Sequence, residues 1–315
     1  MPTAERALLH RGGRRGTWGS LGLWHDGEDD YASACEALAL AVGRAAAVQR
    51  GDRVLSVACG AGDELLLWLQ HCGASTVVGV EQDPLLVGAA ERLVLGAGLF
   101  GGAHHAGVVL RVGSGTRLQA LGLAPQSFDR VLCVDAAYHL RPRAAFLQGA
   151  RALLRPGGRL AYTDLCLDSL GPPWRAPLLG PIVRSAARLC GLAAHELLSP
   201  AEQAARLQQL GFVDVQVQRL DEPVLGGFAR YVVQQGRRIS RTAWHPDWRR
   251  PGLTARLIGP CRAAGLGYVL AAGTLAAKVP AATDPAVSSL SPASLPATSY
   301  AERTALSSKG TPASA

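Results

Sequence analysis

The chain has 315 residues, 48% of them hydrophobic and 18% charged. That is enough apolar material for a sizeable core, which excludes wholesale disorder and admits one large domain with appendages or two small ones. The net charge of +8, mostly arginine, suits acidic small molecules, nucleic acid or an anionic membrane surface, or reflects compositional drift alone. The seven cysteines are scattered and never spaced as C-x-x-C. This argues against a disulfide framework or a zinc site and for a reducing compartment, with a cytoplasmic location expected.

Taken in order, residues 1–20 carry Arg6, Arg11, Arg14 and Arg15 against Glu5 and are expected to form a flexible basic leader; an organelle-targeting peptide is the alternative. No apolar run reaches the roughly 18 residues of a membrane span. Helical spacing of apolar residues follows over 31–49, then a buried strand over 54–57. Cys59-Gly60-Ala61-Gly62 forms a tight loop before a helix over 63–70. A second strand, 76–80, ends at Glu81, with Asp83 as cap and Pro84 at the first position of the next helix. Strands are expected at 108–112, 128–134 and 159–163, with a helix over 144–154 closed by the turn Arg155-Pro156-Gly157-Gly158. Apolar strands alternating with helices predict a parallel sheet covered on both faces.

After Asp164 the pattern loosens. Ser199 and Glu202 form a capping box before a helix that ends at Gly211, a strand follows over 212–217, and 268–272 is expected as a last, antiparallel strand. Two stretches, 165–198 and 221–265, interrupt this order and are expected to cover a bound acceptor. Trp174, Trp244 and Trp248 either sandwich that acceptor or anchor the cover. Residues 276–315 are rich in Ala, Ser, Pro and Thr and are expected to be a disordered tail.

The strand–Gly60-x-Gly62–helix unit has the geometry of a nucleotide loop, and Glu81, about 20 residues on, is placed to accept ribose hydroxyls. A nicotinamide-binding fingerprint needs a third glycine where Leu65 stands. Four segments decide the comparison: Val54-Leu-Ser-Val-Ala-Cys-Gly-Ala-Gly62, Val78-Gly-Val-Glu-Gln-Asp83, Ser127-Phe-Asp-Arg-Val-Leu-Cys-Val134 and Leu153-Leu-Arg-Pro-Gly-Gly-Arg159. In order and spacing they resemble the motifs of class I S-adenosylmethionine-dependent methyltransferases over residues 20–273. Gly22-Leu-Trp24, Ala136-Ala-Tyr-His-Leu140 and Thr163-Asp-Leu165 add a likeness to small-molecule, natural-product sugar O-methyltransferases.

The resemblance implies an α/β fold: a Rossmann-like seven-stranded sheet with helices on both faces, within a methyltransferase domain over 21–275. It implies S-adenosyl-L-methionine as cofactor, with Cys59, Gly60 and Gly62 along its methionine part, Glu81 on the ribose and Gln82 beside the adenine. Gly113-Ser114-Gly115 would cup the adenine edge, and Asp135 would lie beside the sulfonium. Three positions depart from the usual pattern: Ser56 and Ser114 replace aspartates, and Ala58 replaces a glycine. His139, at the carboxyl edge of the fourth strand, is the expected general base, assisted by Asp164; the alternatives are a histidine and an aspartate that only cap local structure. His104 and His105 read as solvated loop, and no metal-ligand spacing is present.

The expected function is methyl transfer to a small organic acceptor through a hydroxyl. A lipid, sterol or quinone acceptor reached by peripheral membrane contact through 178–192 is one alternative; a non-catalytic interaction protein of the same fold is another. No aromatic–basic interleaving points to nucleic acid.

Overall fold

Seven apolar segments form one sheet: β1 (Arg53–Val57), β2 (Thr76–Glu81), β3 (Gly107–Val112), β4 (Phe128–Cys133), β5 (Leu154–Leu167), β6 (Phe212–Arg219) and β7 (Leu266–Leu275). The structure, a computed structural model, describes residues 3–14, 16–25, 27–28, 30–99, 107–168, 196–239 and 248–277. The expected tail beyond Ala277, most of the 165–198 cover, the 178–192 segment, His104, His105, Trp174 and Trp244 lie outside these. The strand order is β3-β2-β1-β4-β5-β7-β6. The first five strands run parallel, and β7 is antiparallel to both β5 and β6. All six residues of β4 are buried, as a strand covered on both faces requires.

The helices are α1 (Thr3–Leu9), α2 (Tyr31–Ala45), α3 (Asp63–Leu66), α4 (Pro84–Gly96), α5 (Arg143–Leu153), α6 (Pro200–Gln209), α7 (Gly227–Ile239) and α8 (Arg249–Ala263). The starts of α4 and α6 follow their caps: Asp83 accepts from the Leu85 amide with Pro84 at the first position, and Ser199 and Glu202 form the reciprocal capping box. One apolar core joins the sheet to α2, with Leu38, Trp68 and Phe228 inside it; a second lies on the other face with Phe146, Leu207 and Phe212. The Rossmann-like sheet with helices on both faces is therefore present.

Two local expectations change, and one stretch read without elements gains them. The Arg155-Pro-Gly-Gly158 signal marks an irregularity inside β5, not a boundary. Buried Leu154 already pairs with Phe128, and the register shifts before Arg130 meets Arg159, so Gly157 at φ +79° absorbs extra residues within the ladder. Among the described residues, the 221–265 cover is largely helical, comprising a π-helical turn over Asp221–Gly226, then α7 and α8. The leader is not free either. Leu9 is fully buried, Tyr231 donates to its carbonyl, and Gln235 Nε2 donates to the carbonyls of Leu8 and Arg11 at 3.0 and 2.6 Å.

Candidate active site

Strand order reverses between β1 and β4, and connections leave the carboxyl ends of these neighbours in opposite directions. The crevice so formed is where open α/β sheets bind ligands. Here it holds a cavity of about 900 Å³, near the upper end of the roughly 300–1,000 Å³ of ligand pockets. The β1–α3 loop forms one wall through Ala58, Cys59, Gly60 and Ala61. Gly60 has φ +57°, and a Cβ built on it meets nothing within 4 Å, so the backbone presents itself to open space. Its amide donates to Glu81 Oε2 at 3.0 Å, while Glu81 Oε1 accepts from the Gln82 and Asp83 amides at 2.8 and 3.0 Å. Glu81 and Gln82 both line the cavity, as do Gly113 and Gly115. Burial first, then the neighbouring Glu64 and Glu81, holds the Cys59 thiol well above its ordinary pKa, which disfavours the thiolate.

Asp135 follows β4 at φ +53°, a conformation aspartate tolerates better than most residues. Its Oδ1 accepts from the hydroxyls of Tyr138 (2.9 Å) and Tyr268 (2.6 Å), and its Oδ2 from the Leu21 amide (2.6 Å). Thr163 closes the network, accepting from the Asp135 amide at 2.7 Å and from Tyr268 at 2.9 Å. Burial raises the Asp135 carboxyl to about 6, against the pull of these donors. The Leu21 bond belongs to a strap, residues 16–21, of which Thr17 to Leu21 line the cavity. Its Thr17 amide and hydroxyl both donate to Asp63.

His139 ends a short 3₁₀ turn, Ala137–His139, and lines the same cavity. Its ring packs on Tyr138 at 4.4 Å between centroids. Desolvation, then charges that include Arg141, lowers the imidazole to about 4, so it is neutral at physiological pH. The lining also includes the apolar Leu165, Leu225 and Phe228, with Leu257 and Ile258 from α8, and the polar Arg6, Arg141, Arg250 and Thr254. The cavity thus combines a glycine-rich loop and buried acids with apolar side chains and a neutral imidazole.

Residues 55–162 match the family model described as a methyltransferase domain. Over 233 residues the chain is 32% identical to erythromycin 3''-O-methyltransferase of Saccharopolyspora erythraea, covering 70% of each chain. The chain belongs to the class I methyltransferases. Two solved structures share the fold. Phosphoethanolamine N-methyltransferase 2 of Haemonchus contortus, in complex with S-adenosyl-L-methionine, is 15% identical with a TM-score of 0.58, over 76% of this chain and 52% of that one. Geranyl diphosphate methyltransferase, also bound to the methyl donor, is 16% identical with a TM-score of 0.57, over 78% and 87%. The methyltransferase uses S-adenosylmethionine, and the cavity fits it: Gly60 opens backbone to a ligand, and the Glu81 carboxylate stands at the end of β2.

Within the methyltransferase, Cys59, Gly60, Glu81, Gln82, Gly115, Asp135 and His139 converge on one cavity. Three expected residues stand apart from it. Gly62, at φ +94°, lies against α4, where a Cβ would come 2.8 Å from that of Ala90; its glycine serves close helix packing. Ser114 turns its hydroxyl to Thr116, 2.9 Å away, and leaves the cavity to its flanking glycines. Asp164 is fully buried and pairs with Arg143 Nε at 3.0 Å. Side chains alternate along a strand, so with Thr163 and Leu165 directed to the cavity side, Asp164 points through the opposite face of β5. Arg143 in turn donates to the carbonyl of Ala137, at 3.4 Å, where the His139 turn begins. Sequence reasoning missed the strap and Tyr268. A lone phenol in the largely apolar β7 was the available signal for the latter, because a buried hydroxyl requires a partner.

Proposed function

We propose that the enzyme methylates a hydroxyl of a small, largely apolar organic acceptor, with His139 as general base. The observation that carries this reading is that His139 lines the same cavity as the Gly60 loop, Glu81 and a set of apolar side chains. When bound, S-adenosylmethionine supplies an electrophilic methyl group on a sulfonium. Gly60, Glu81, Gln82 and the glycines at 113 and 115 hold that donor, with Asp135 of the same cavity fixed by its three donors. Phe228, Leu225 and Ile258 hold the acceptor and keep water from the donor, since much of the catalysis of a displacement comes from alignment.

An alcohol is a poor nucleophile until its proton is taken. His139 is neutral and can accept it. Asp164 acts through Arg143 as a positioning residue for the His139 turn. The O-methyltransferase named among the relatives supports oxygen as the acceptor atom. His139→Ala is expected to lower turnover by about 10²–10⁴-fold, with affinity for S-adenosylhomocysteine unchanged in a calorimetric titration. Unaltered turnover would remove His139 as the base and leave the apolar side chains to position an acceptor that is already ionised.

A further inference from the structure

Five acids border the cavity, Asp63, Glu64, Glu81, Asp83 and Asp135. Four accept from at least one backbone amide of this chain. Glu81 accepts three bonds from backbone amides, Asp135 accepts three from two tyrosines and the strap, Asp63 holds Thr17, and Asp83 caps α4 through the Leu85 amide. Glu64 differs. It lies in the first turn of α3, is 6% exposed and still reaches the cavity. One carboxylate oxygen bonds Ser56 Oγ, which itself accepts from Trp68 Nε1 at 3.2 Å. Trp68 is wedged against Gly43, where a Cβ would come 2.7 Å from the ring, so the Ser56 hydroxyl, and through it Glu64, is held in place.

Among the described residues no cation pairs with Glu64. The charges acting on it are those of Asp63 and Glu81, of its own sign, and burial, followed by these two, raises it to about 8. A carboxylate kept in low dielectric without a cation is costly, and a ligand that supplies one recovers that cost as binding. The aminoacyl end of the methyl donor carries an α-ammonium. We infer that Glu64, oriented by Ser56, is the residue that receives this ammonium. The inference rests on the assignment of this cavity to the methyl donor. It also gives a reason for Ser56: the hydroxyl stands where an aspartate is usual, and the carboxylate comes from α3 instead.

The test uses two ligands of one nucleoside. S-Adenosylhomocysteine has the ammonium and no sulfonium; 5′-methylthioadenosine lacks the whole aminoacyl group. In calorimetric titrations of the full chain, Glu64→Gln is expected to weaken S-adenosylhomocysteine about tenfold or more and to leave 5′-methylthioadenosine within about twofold. Ser56→Ala, which keeps the acid but frees it, should weaken the first ligand several-fold and not the second, and decides the matter if the glutamine variant fails to fold. Equal losses for both ligands, or none for either, would overturn the role of Glu64 while leaving the cavity assignment standing. If the unmutated chain binds neither, the cavity assignment falls and the inference with it.

Discussion

Ala58 occupies the left-handed region at φ +59° and lines the cavity. A Cβ there costs roughly 1–2 kcal/mol in the folded chain, whereas glycine loses about 0.5–1 kcal/mol more backbone entropy on folding. Ala58→Gly is therefore expected to stabilise the protein by about 0.5–1 kcal/mol, read as a higher midpoint in chemical denaturation; a lower midpoint would mean that the methyl group packs better than its backbone strains. The position was legible in the sequence as a departure from a glycine, but its sign was not, because a dihedral angle is not written in a residue's name. His139, Glu81 and Gly60 were legible since their places follow from strand ends and loop geometry. Asp164 was not: a shift of one residue along β5 exchanges the cavity face for the core, and sequence alone did not fix which face each residue of Thr163-Asp-Leu165 took.

At the level of elements, local signals served well where the cause is local. Asp83-Pro84 and Ser199 with Glu202 start α4 and α6 because their side chains satisfy amides two or three residues away. The strap and α1 were not legible for the opposite reason. Thr17 reaches Asp63, Leu21 reaches Asp135, and Leu8, Leu9 and Arg11 are held through their carbonyls by Tyr231 and Gln235, more than 200 residues away. Bonds to backbone atoms leave no trace in the sequence of the segment that makes them, so an arginine-rich, glycine-rich stretch reads as loose. The π-helical turn over Leu67–His71 after α3 was hidden in an apolar run that fits any helical period.

For the whole molecule, the sheet order β3-β2-β1-β4-β5-β7-β6 brings several acids into a desolvated centre, and this sets a pH dependence. Burial raises Glu64 to about 8 and Asp164 to about 7, both above the ordinary carboxylate range that the unfolded chain shows. Such groups stabilise the fold fully below the unfolded value, and that contribution is lost as pH rises through the folded one. The lowered His139 acts in the opposite sense, but its effect is complete above the ordinary histidine value of about 6.5. Between about pH 6.5 and 8.5 the melting temperature of the ligand-free chain should therefore fall, and Glu64→Gln should flatten the slope. A slope that the variant leaves unchanged would place the titration elsewhere.

The direct measurement is a calorimetric titration of the purified chain with S-adenosylhomocysteine, repeated on Glu81→Ala. Glu81 joins the Gly60 loop to the end of β2 and faces the cavity, so its loss removes both a ligand contact and the tie that shapes the loop. One molecule bound per chain, with affinity reduced about 100-fold in the variant, is the expected result. Equal affinity in both proteins would contradict the assignment of the methyl donor to this cavity.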